Sequence, residues 1–461
     1  MAVRSFDLNI EEVLENWETE HAIREIIANA LDEQALSKTA AINIAKIGEG
    51  TWCVRDYGRG LQIGHFTLNE NEEKLAATTG IIGKFGVGLK DALGTFHRRG
   101  VRVTIRSRFG TFRLKQEHKA GFDDIVTLHV EYDDMPQNLT GTEFTLSEMS
   151  DSDMAKAKSL FLIFNDEKLL DSTPYGQILK RDLNTARVYI SGVFANEEPN
   201  FMCSYNITSL TDSMRKKLNR ERLNVGRATY SERIKSILKA SEAEPVKTLL
   251  IDEVRGRASG TQHEELAWIE VSQKALTLLN QAQKVVFFTE SHLHSNPDIL
   301  DSAKRDGLSV VLVSDQQMEK LETQARVGGP EVRTFGAYVQ EYNASFQYQF
   351  VDPSTLSKSE RRIFDLAPRI LSLVGITKGA TPQIRISETM RVTSDQTEGV
   401  WDSLLGAIVI RRTKLSSVVS FAATLLHEAA HATTGTVDAT RDFENVLTTY
   451  LGFTSSKAIS N

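Results

Sequence analysis

Residues 25–32 read EIIANALD, and the spacing of their polar residues decides how the first third of the chain is read. Glu25, Asn29 and Asp32 fall at i, i+4 and i+7, so a helix places all three on one face. Apolar residues recur around them at helical intervals (Val13, Leu14, Trp17, Ile23, Ile26, Ile27, Ala30, Leu31), which predicts one or two amphipathic helices over 10–36. Such a polar face is either solvated or held for a purpose, because each buried group needs a partner. Beyond it, alternation at 41–47 and 51–54 around Gly-Glu-Gly predicts a hairpin, whose second strand TWCVR runs into DYGRG at 56–60. A carboxylate that leaves a strand into a glycine-permitted turn can accept a hydrogen bond from the exocyclic amine of a base. A third segment, GKFGVGLK at 83–90, leads into a helix. Its glycines let backbone amides close around phosphate, the helix N-terminus adds partial positive charge, and Lys84 or Lys90 can meet the rest. It is not a Walker-type loop, since no Lys-Ser/Thr pair closes a four-residue gap between glycines.

Taken in order, these segments resemble the motifs of the GHKL superfamily: gyrase B, heat-shock chaperones, histidine kinases and MutL, with the MORC ATPases close by. The resemblance spans roughly residues 10–150 and implies a Bergerat-type α/β sandwich that binds ATP and Mg2+. EIIANALD is similar to the N box, which implies Glu25 as the base that activates water, Asn29 as the Mg2+ ligand and Asp32 as a further nucleotide-site residue. DYGRG is similar to the G1 box, with Asp56 reading the adenine amine and Gly58 and Gly60 in the turn. IGKFGVGLKDA (82–92) is similar to the G2 box and implies phosphate contacts from Gly83, Lys84, Gly86, Gly88 and Lys90, beneath a lid at 61–82. GTEFTL (141–146) resembles the threonine motif behind the adenine-reading aspartate, which points to Thr142. Histidine kinases lack the glutamate, so Glu25 implies the hydrolysing branch, whose members commonly dimerise when ATP closes the lid. A base of this kind works in a partly desolvated site, and the transferred phosphoryl group needs positioned positive charge. Residues 187–224 loosely resemble the transducer domain that follows in this superfamily. There Arg220 or Arg222 would reach the γ-phosphate, or else the pair is a surface basic cluster.

A second pattern lies near the other end. Residues 427–431 read His-Glu-Ala-Ala-His within a helix predicted over 416–434 and closed by Gly435. The i, i+4 spacing turns both imidazoles to one face, able to bind one Zn2+, with Glu428 adjacent to activate water. A helix at 358–374 and strands at 383–387 and 406–411 precede it, an order that resembles the minimal zincin fold of metallopeptidases. On that resemblance the strand GAIVIRR would hold an extended peptide by strand addition. The metzincin pattern is absent, because no histidine follows Gly435. Another helix is predicted over 438–451, and Glu444 on it is the expected third zinc ligand, with Asp438 in reserve. The alternative is a packed helix with locally bonded histidines, or a peptidase fold without metal.

The whole chain therefore reads as a multidomain α+β protein. Its expected parts are an ATP-binding domain at 1–150, a transducer-like α+β domain at 151–262, a small α/β unit at 263–330 and a helix-rich zincin-like domain at 331–461. In the first, further strands at 101–106, 111–115, 124–131 and 143–146 put helices on one face of an antiparallel sheet. In the second, a strand at 187–194 and a charged helix at 229–241 are expected. In the third, buried strands at 285–290 and 309–314 flank a helix at 298–306 in β-α-β rhythm. A length of 461 residues with 41% hydrophobic and 25% charged residues is that of an ordinary globular protein. Cys53 and Cys203 read as reduced packing residues. No apolar run is long enough for a membrane span and the start lacks a signal peptide, so a cytoplasmic protein is expected. The net charge of −7 gives no global field for nucleic acid, and 98–108 (RRGVRVTIRSR) reads as strand with arginines on a wet face. The combined expectation is an ATP-driven switch, dimeric when ATP is bound, coupled to a zinc peptidase with a protein or peptide substrate. A chaperone-like or DNA-clamping ATPase with a non-catalytic C-terminal binding module is the alternative. A topoisomerase-like or mismatch-repair role would need a nuclease or tyrosine-bearing domain from another subunit.

Overall fold

The computed structural model describes residues 4–9, 17–66, 81–83, 88–122, 124–133, 135–182, 185–217, 225–256, 263–295, 297–328, 330–377, 382–392 and 397–460. The chain forms two compact units, Met1–Leu278 and Leu279–Asn461.

In the first unit, β1 (Arg4–Asp7), β2 (Asn43–Gly48), β3 (Thr51–Arg55), β4 (Arg102–Ser107), β5 (Gly110–His118), β6 (Val126–Asp133) and β7 (Thr142–Ser147) make one sheet. The strand order is β1-β6-β5-β4-β7-β3-β2, and every pairing is antiparallel. Alternation along the strands sends Val103, Ile105, Phe144 and Leu146 into the core while Arg102 and Arg106 face water. Against the apolar face lie the helices Thr19–Ser37, Gly88–Arg98 and Asp151–Ser159, through Ile23, Ile26, Ile27, Leu93, Phe96 and Met154. Burying each large apolar side chain contributes about 1.5–3 kcal/mol, against a few tenths for a surface helical pair. The apolar stripe therefore sets the rotation of the first helix and leaves Glu25 and Asn29 half-buried at its margin. This core continues past residue 150 to Ala157, Phe161 and Val193.

The basic stretch at 98–108 is occupied internally. Arg98 and Arg99 donate to the Trp17 carbonyl, Arg99 also pairs with Glu18, Arg102 pairs with Glu148, and Arg106 with Glu143.

A second sheet follows: β8 (Leu169–Thr173), β9 (Gly176–Lys180), β10 (Ala186–Ile190), β11 (Val193–Glu198) and β12 (Cys203–Ile207), in the order β11-β10-β12-β9-β8. The single strand expected over 187–194 is instead a hairpin. Ser191 and Gly192 both adopt left-handed conformations, with φ of 51° and 78°, as a two-residue turn between twisted strands requires. Helices Arg227–Ala240 and Glu244–Gly256 follow. Cys53 and Cys203 are buried and unlinked.

In the second unit, β13 (Val285–Phe288) and β14 (Ser309–Leu312) pair in parallel across the helix Pro297–Arg305, the expected β-α-β rhythm. β14 is half-exposed where a buried strand was expected, because it is an edge strand of a two-stranded sheet and Leu312 faces water. Val286, Phe288, Ile299, Ala303 and Tyr338 form their core. The helix expected over 358–374 is two, Lys358–Phe364 and Ala367–Leu373, the second with Pro368 in its first turn, where the ring's missing backbone donor is tolerated. β15 (Gln383–Ser387), β16 (Gly399–Asp402) and β17 (Ala407–Arg411) form a sheet in the order β15-β17-β16, with β16 antiparallel to the other two. Ile386, Ile408 and Ile410 pack on Phe421, Leu425 and Ala429 of the helix Val418–Thr434. That helix starts at Ser417, which accepts the Ser420 N–H, and ends at Gly435 with φ 67°. The helix Arg441–Ser460 follows. No described helix is long and apolar enough to cross a membrane.

Candidate functional site

The described residues of the two sites expected from sequence lie in separate units. In the first, Asp56 leaves β3 and is buried, and its Oδ1 accepts the N–H groups of Gly58 at 2.9 Å and Thr142 at 3.2 Å. The Asp56 N–H in turn donates to the Thr142 carbonyl at 2.9 Å, and Thr142 Oγ1 accepts the Leu61 N–H at 3.0 Å. Thr142 thus backs Asp56 across a sequence separation of 86. Burial lifts the Asp56 carboxyl above its usual range, while the Gly58 and Thr142 donors pull it back. The turn needs glycines: Gly60 and Gly141 hold φ of 89° and 85°, and a Cβ on Gly141 would collide with the Asp56 backbone.

On the helix Thr19–Ser37, Glu25 lies against the start of the helix Gly88–Arg98, so close that a Cβ on Gly88 would strike its Oε2. Its Oε1 accepts Nε and Nη2 of the fully buried Arg24, at 3.2 and 2.9 Å, and Arg24 also lies over the Trp17 ring. Asn29 is half-buried four residues on. Asp32 is fully buried and serves the backbone: its Oδ1 takes the Ile82 N–H at 2.6 Å and its Oδ2 the Gly83 N–H at 2.8 Å. It therefore positions the entry to the glycine-rich loop. Lys90 is half-buried in the first turn of the next helix. Lys84, Gly86, Arg220, Arg222 and the lid residues 67–80 lie outside the described residues.

The second site sits on the helix Val418–Thr434. His427 Nε2 and His431 Nε2 are 3.3 Å apart, and Asp438 Oδ1 is 3.0 Å from the first and 3.2 Å from the second. Among the described residues this is the one group of three side chains whose donor atoms converge as metal ligands do. The Thr436 carbonyl, 2.6 Å from His431 Nδ1, can only accept, so Nδ1 carries a proton and Nε2 is the ring nitrogen turned to the cluster. Phe443 stacks on His431 at 4.5 Å and meets His427 edge-on at 4.8 Å. Glu444, the expected third ligand, is not in the cluster. Successive residues on a helix are turned by about 100°; Phe443 takes the face toward the imidazoles and Glu444 is exposed. The reserve residue, Asp438, comes instead from the loop after Gly435, before that helix begins.

Glu428 is buried beside the cluster, and its Oε2 accepts the Trp401 N–H of β16 at 2.8 Å. Burial raises its carboxyl, and the two imidazoles oppose the rise. The strand expected to receive a peptide, β17, lies between β15 and β16, so its backbone groups are already paired. The edge beside Glu428 belongs to β16, which packs so tightly that a Cβ on Gly399 would sit 2.5 Å from Thr424 Cγ2 and 3.0 Å from Glu428 Cγ.

Sequence reasoning missed Arg24, Trp401 and Phe443. A charged residue beside Glu25 on the buried side of an amphipathic helix was a readable signal for Arg24. Trp401 acts through its backbone, which leaves no side-chain signature.

The family described as Mycoplasma pneumoniae MPN635 N-terminal domain matches residues 152–244, which hold the five-stranded sheet and the helix Arg227–Ala240. Two proteins of Mycoplasma pneumoniae, each described as an uncharacterized protein, are similar to this chain. One is 37% identical over 245 residues, 52% of this chain and 98% of the relative. The other is 24% identical over 330 residues, 67% of this chain and 93% of the relative.

Proposed function

We propose a function for a chain that belongs to the same family as its 37%-identical Mycoplasma pneumoniae relative: an ATP-controlled switch joined to a zinc-dependent peptidase. The observation that carries the peptidase half is the convergence of His427, His431 and Asp438. Their donor atoms are 3.0–3.3 Å apart, and a tetrahedral zinc with bonds of about 2.0–2.1 Å requires ligands roughly 3.3 Å from one another. Zinc there would supply Lewis acidity toward a carbonyl or a water. Glu428 takes the proton from the attacking water and returns it to the leaving amine, with its second oxygen held by the Trp401 N–H. An extended peptide aligns along the outer edge of β16.

The N-terminal site supports the switch. Asp56, oriented by Gly58 and Thr142, accepts the adenine amine; Asn29 holds Mg2+; and Glu25, steadied by Arg24, draws the proton from water. These are the finer GHKL and zincin readings of an α+β fold, and with them go dimerisation on ATP binding and a cytoplasmic location.

The test is zinc content, ATP hydrolysis and peptide cleavage measured together on wild type, Glu25→Ala, His427→Ala and Glu428→Ala. The reading expects stoichiometric zinc lost in His427→Ala, cleavage abolished in Glu428→Ala, and cleavage that responds to non-hydrolysable ATP analogues. A metal-free protein that still hydrolyses ATP would replace the peptidase by a binding module. Cleavage indifferent to nucleotide and to Glu25→Ala would sink the coupling.

A further inference from the structure

A cavity of about 380 Å3 opens in the second unit, away from the histidine cluster's own residues. Its walls come from the helix Pro297–Arg305, the helix Phe335–Ala344, the segment after β15 and the last residue of β17. It therefore lies at the carboxyl ends of two parallel strands, where α/β sheets commonly hold ligands, and its volume is that of a small-molecule site.

Three arginines line it, Arg305, Arg391 and Arg411, with two acidic residues, Asp301 and Glu388. Glu388 is already engaged by Arg412 Nη1 at 2.6 Å, and Arg412 is in turn bonded to Glu360. Among the described lining residues arginines outnumber carboxylates three to two. Arg411 is only 9% exposed, so its charge sits deep in the wall, where burial pulls its pKa down. Two further contacts steady the mouth: Arg305 donates to Ser302 Oγ at 3.0 Å, and Arg391 lies over the Phe346 ring. Arginines supplied by three elements suit a phosphate group, which accepts several charge-assisted hydrogen bonds at once. A bare phosphate would occupy only part of this volume. The remainder offers the Tyr342 ring and the Asp301 carboxylate, an acceptor for hydroxyl or amine donors.

We propose that this cavity binds a small phosphate ester, its phosphate held by Arg305, Arg391 and Arg411 and its hydroxyl or amine donors read by Asp301. A sugar phosphate and a nucleoside monophosphate share this chemistry, and the test separates them. None of these residues belongs to the ATP or zinc readings, so the inference stands independently of them.

The full chain carrying Asp56→Asn, which removes the adenine-reading group of the N-terminal site, is titrated calorimetrically with ribose 5-phosphate and with adenosine monophosphate. Submillimolar binding of both assigns a sugar phosphate; binding of the nucleotide alone assigns a nucleotide. Arg305→Ala and Arg391→Ala, both at exposed side chains, each weaken binding about tenfold or more, and Arg391→Lys restores part of it. Without any cavity substitution, the ligand slows amide exchange over 388–392. The proposal is overturned if neither ester binds at about 5 mM, if both arginine variants bind as the parent does, or if exchange over 388–392 is unchanged by a bound ligand.

Discussion

The backbone N–H of Trp401 donates to Glu428 Oε2 at 2.8 Å, which ties an edge strand directly to the glutamate of the HEAAH helix. Strand and helix touch so closely that residue 399 has no room for a side chain. Gly399→Ala should displace β16, lower stability by about 1–3 kcal/mol through overpacking, and reduce peptide cleavage more than zinc content. Urea unfolding alongside metal analysis checks it; an unaltered cleavage rate would mean that β16 does not align substrate.

Asp438 Oδ1 is shared between the two imidazoles. Asp438→Asn should weaken zinc retention about tenfold or more, whereas Glu444→Gln should leave it unchanged. Competition with a zinc-binding dye reports both, and the reverse ranking would restore Glu444 as the ligand.

Arg24 is wholly buried and its fork meets Glu25 Oε1. Arg24→Lys keeps the charge but loses the fork. The expected outcome is a fall in kcat for ATP hydrolysis of about tenfold with ATP binding nearly unchanged. A change confined to KM would show that Arg24 serves the fold and not the orientation of Glu25.

Glu33 accepts the backbone N–H, Nε and Nη2 of Arg59, at 2.8, 2.9 and 2.9 Å, and joins the first helix to the DYGRG turn. Burial pushes its carboxyl up, but the Arg59 and Ser37 donors outweigh that and hold it at about 2 against an ordinary 4.5. A pKa lowered by folding stabilises fully above pH 4.5, and the contribution is lost as pH falls toward 2. Glu33→Gln should therefore cost about 1–2 kcal/mol at pH 7, discounted for partial exposure, and the difference should shrink steadily below pH 4.5. Urea midpoints of both proteins at pH 7, 4 and 3 measure this; a gap that stays constant would assign the loss to packing.

Much of the fold was legible because its signals are local. The 3.6-residue rhythm of Ile23, Ile26, Ile27 and Ala30 marks the first helix, and buried apolar runs mark β13 and β17. What was missed has weaker local chemistry. β16 is four residues long, too short for alternation to register, and the turn that splits β10 from β11 rests on one Ser-Gly dipeptide.

By itself, the sequence determined which residues are available for chemistry: Glu25 and Asn29 on one helical face, and His427 and His431 one turn apart, since helical spacing orders neighbours within a few residues. Tertiary structure alone decided which distant groups complete them. Asp56 meets Thr142 because β3 and β7 are paired strands; Asp438, and not Glu444, lies against the two imidazoles because a loop delivers it before the next helix starts; and Trp401 reaches Glu428 because β16 packs against the helix Val418–Thr434. These contacts follow from strand order and packing, which depend on burial summed over the whole core and leave no periodic trace along the chain.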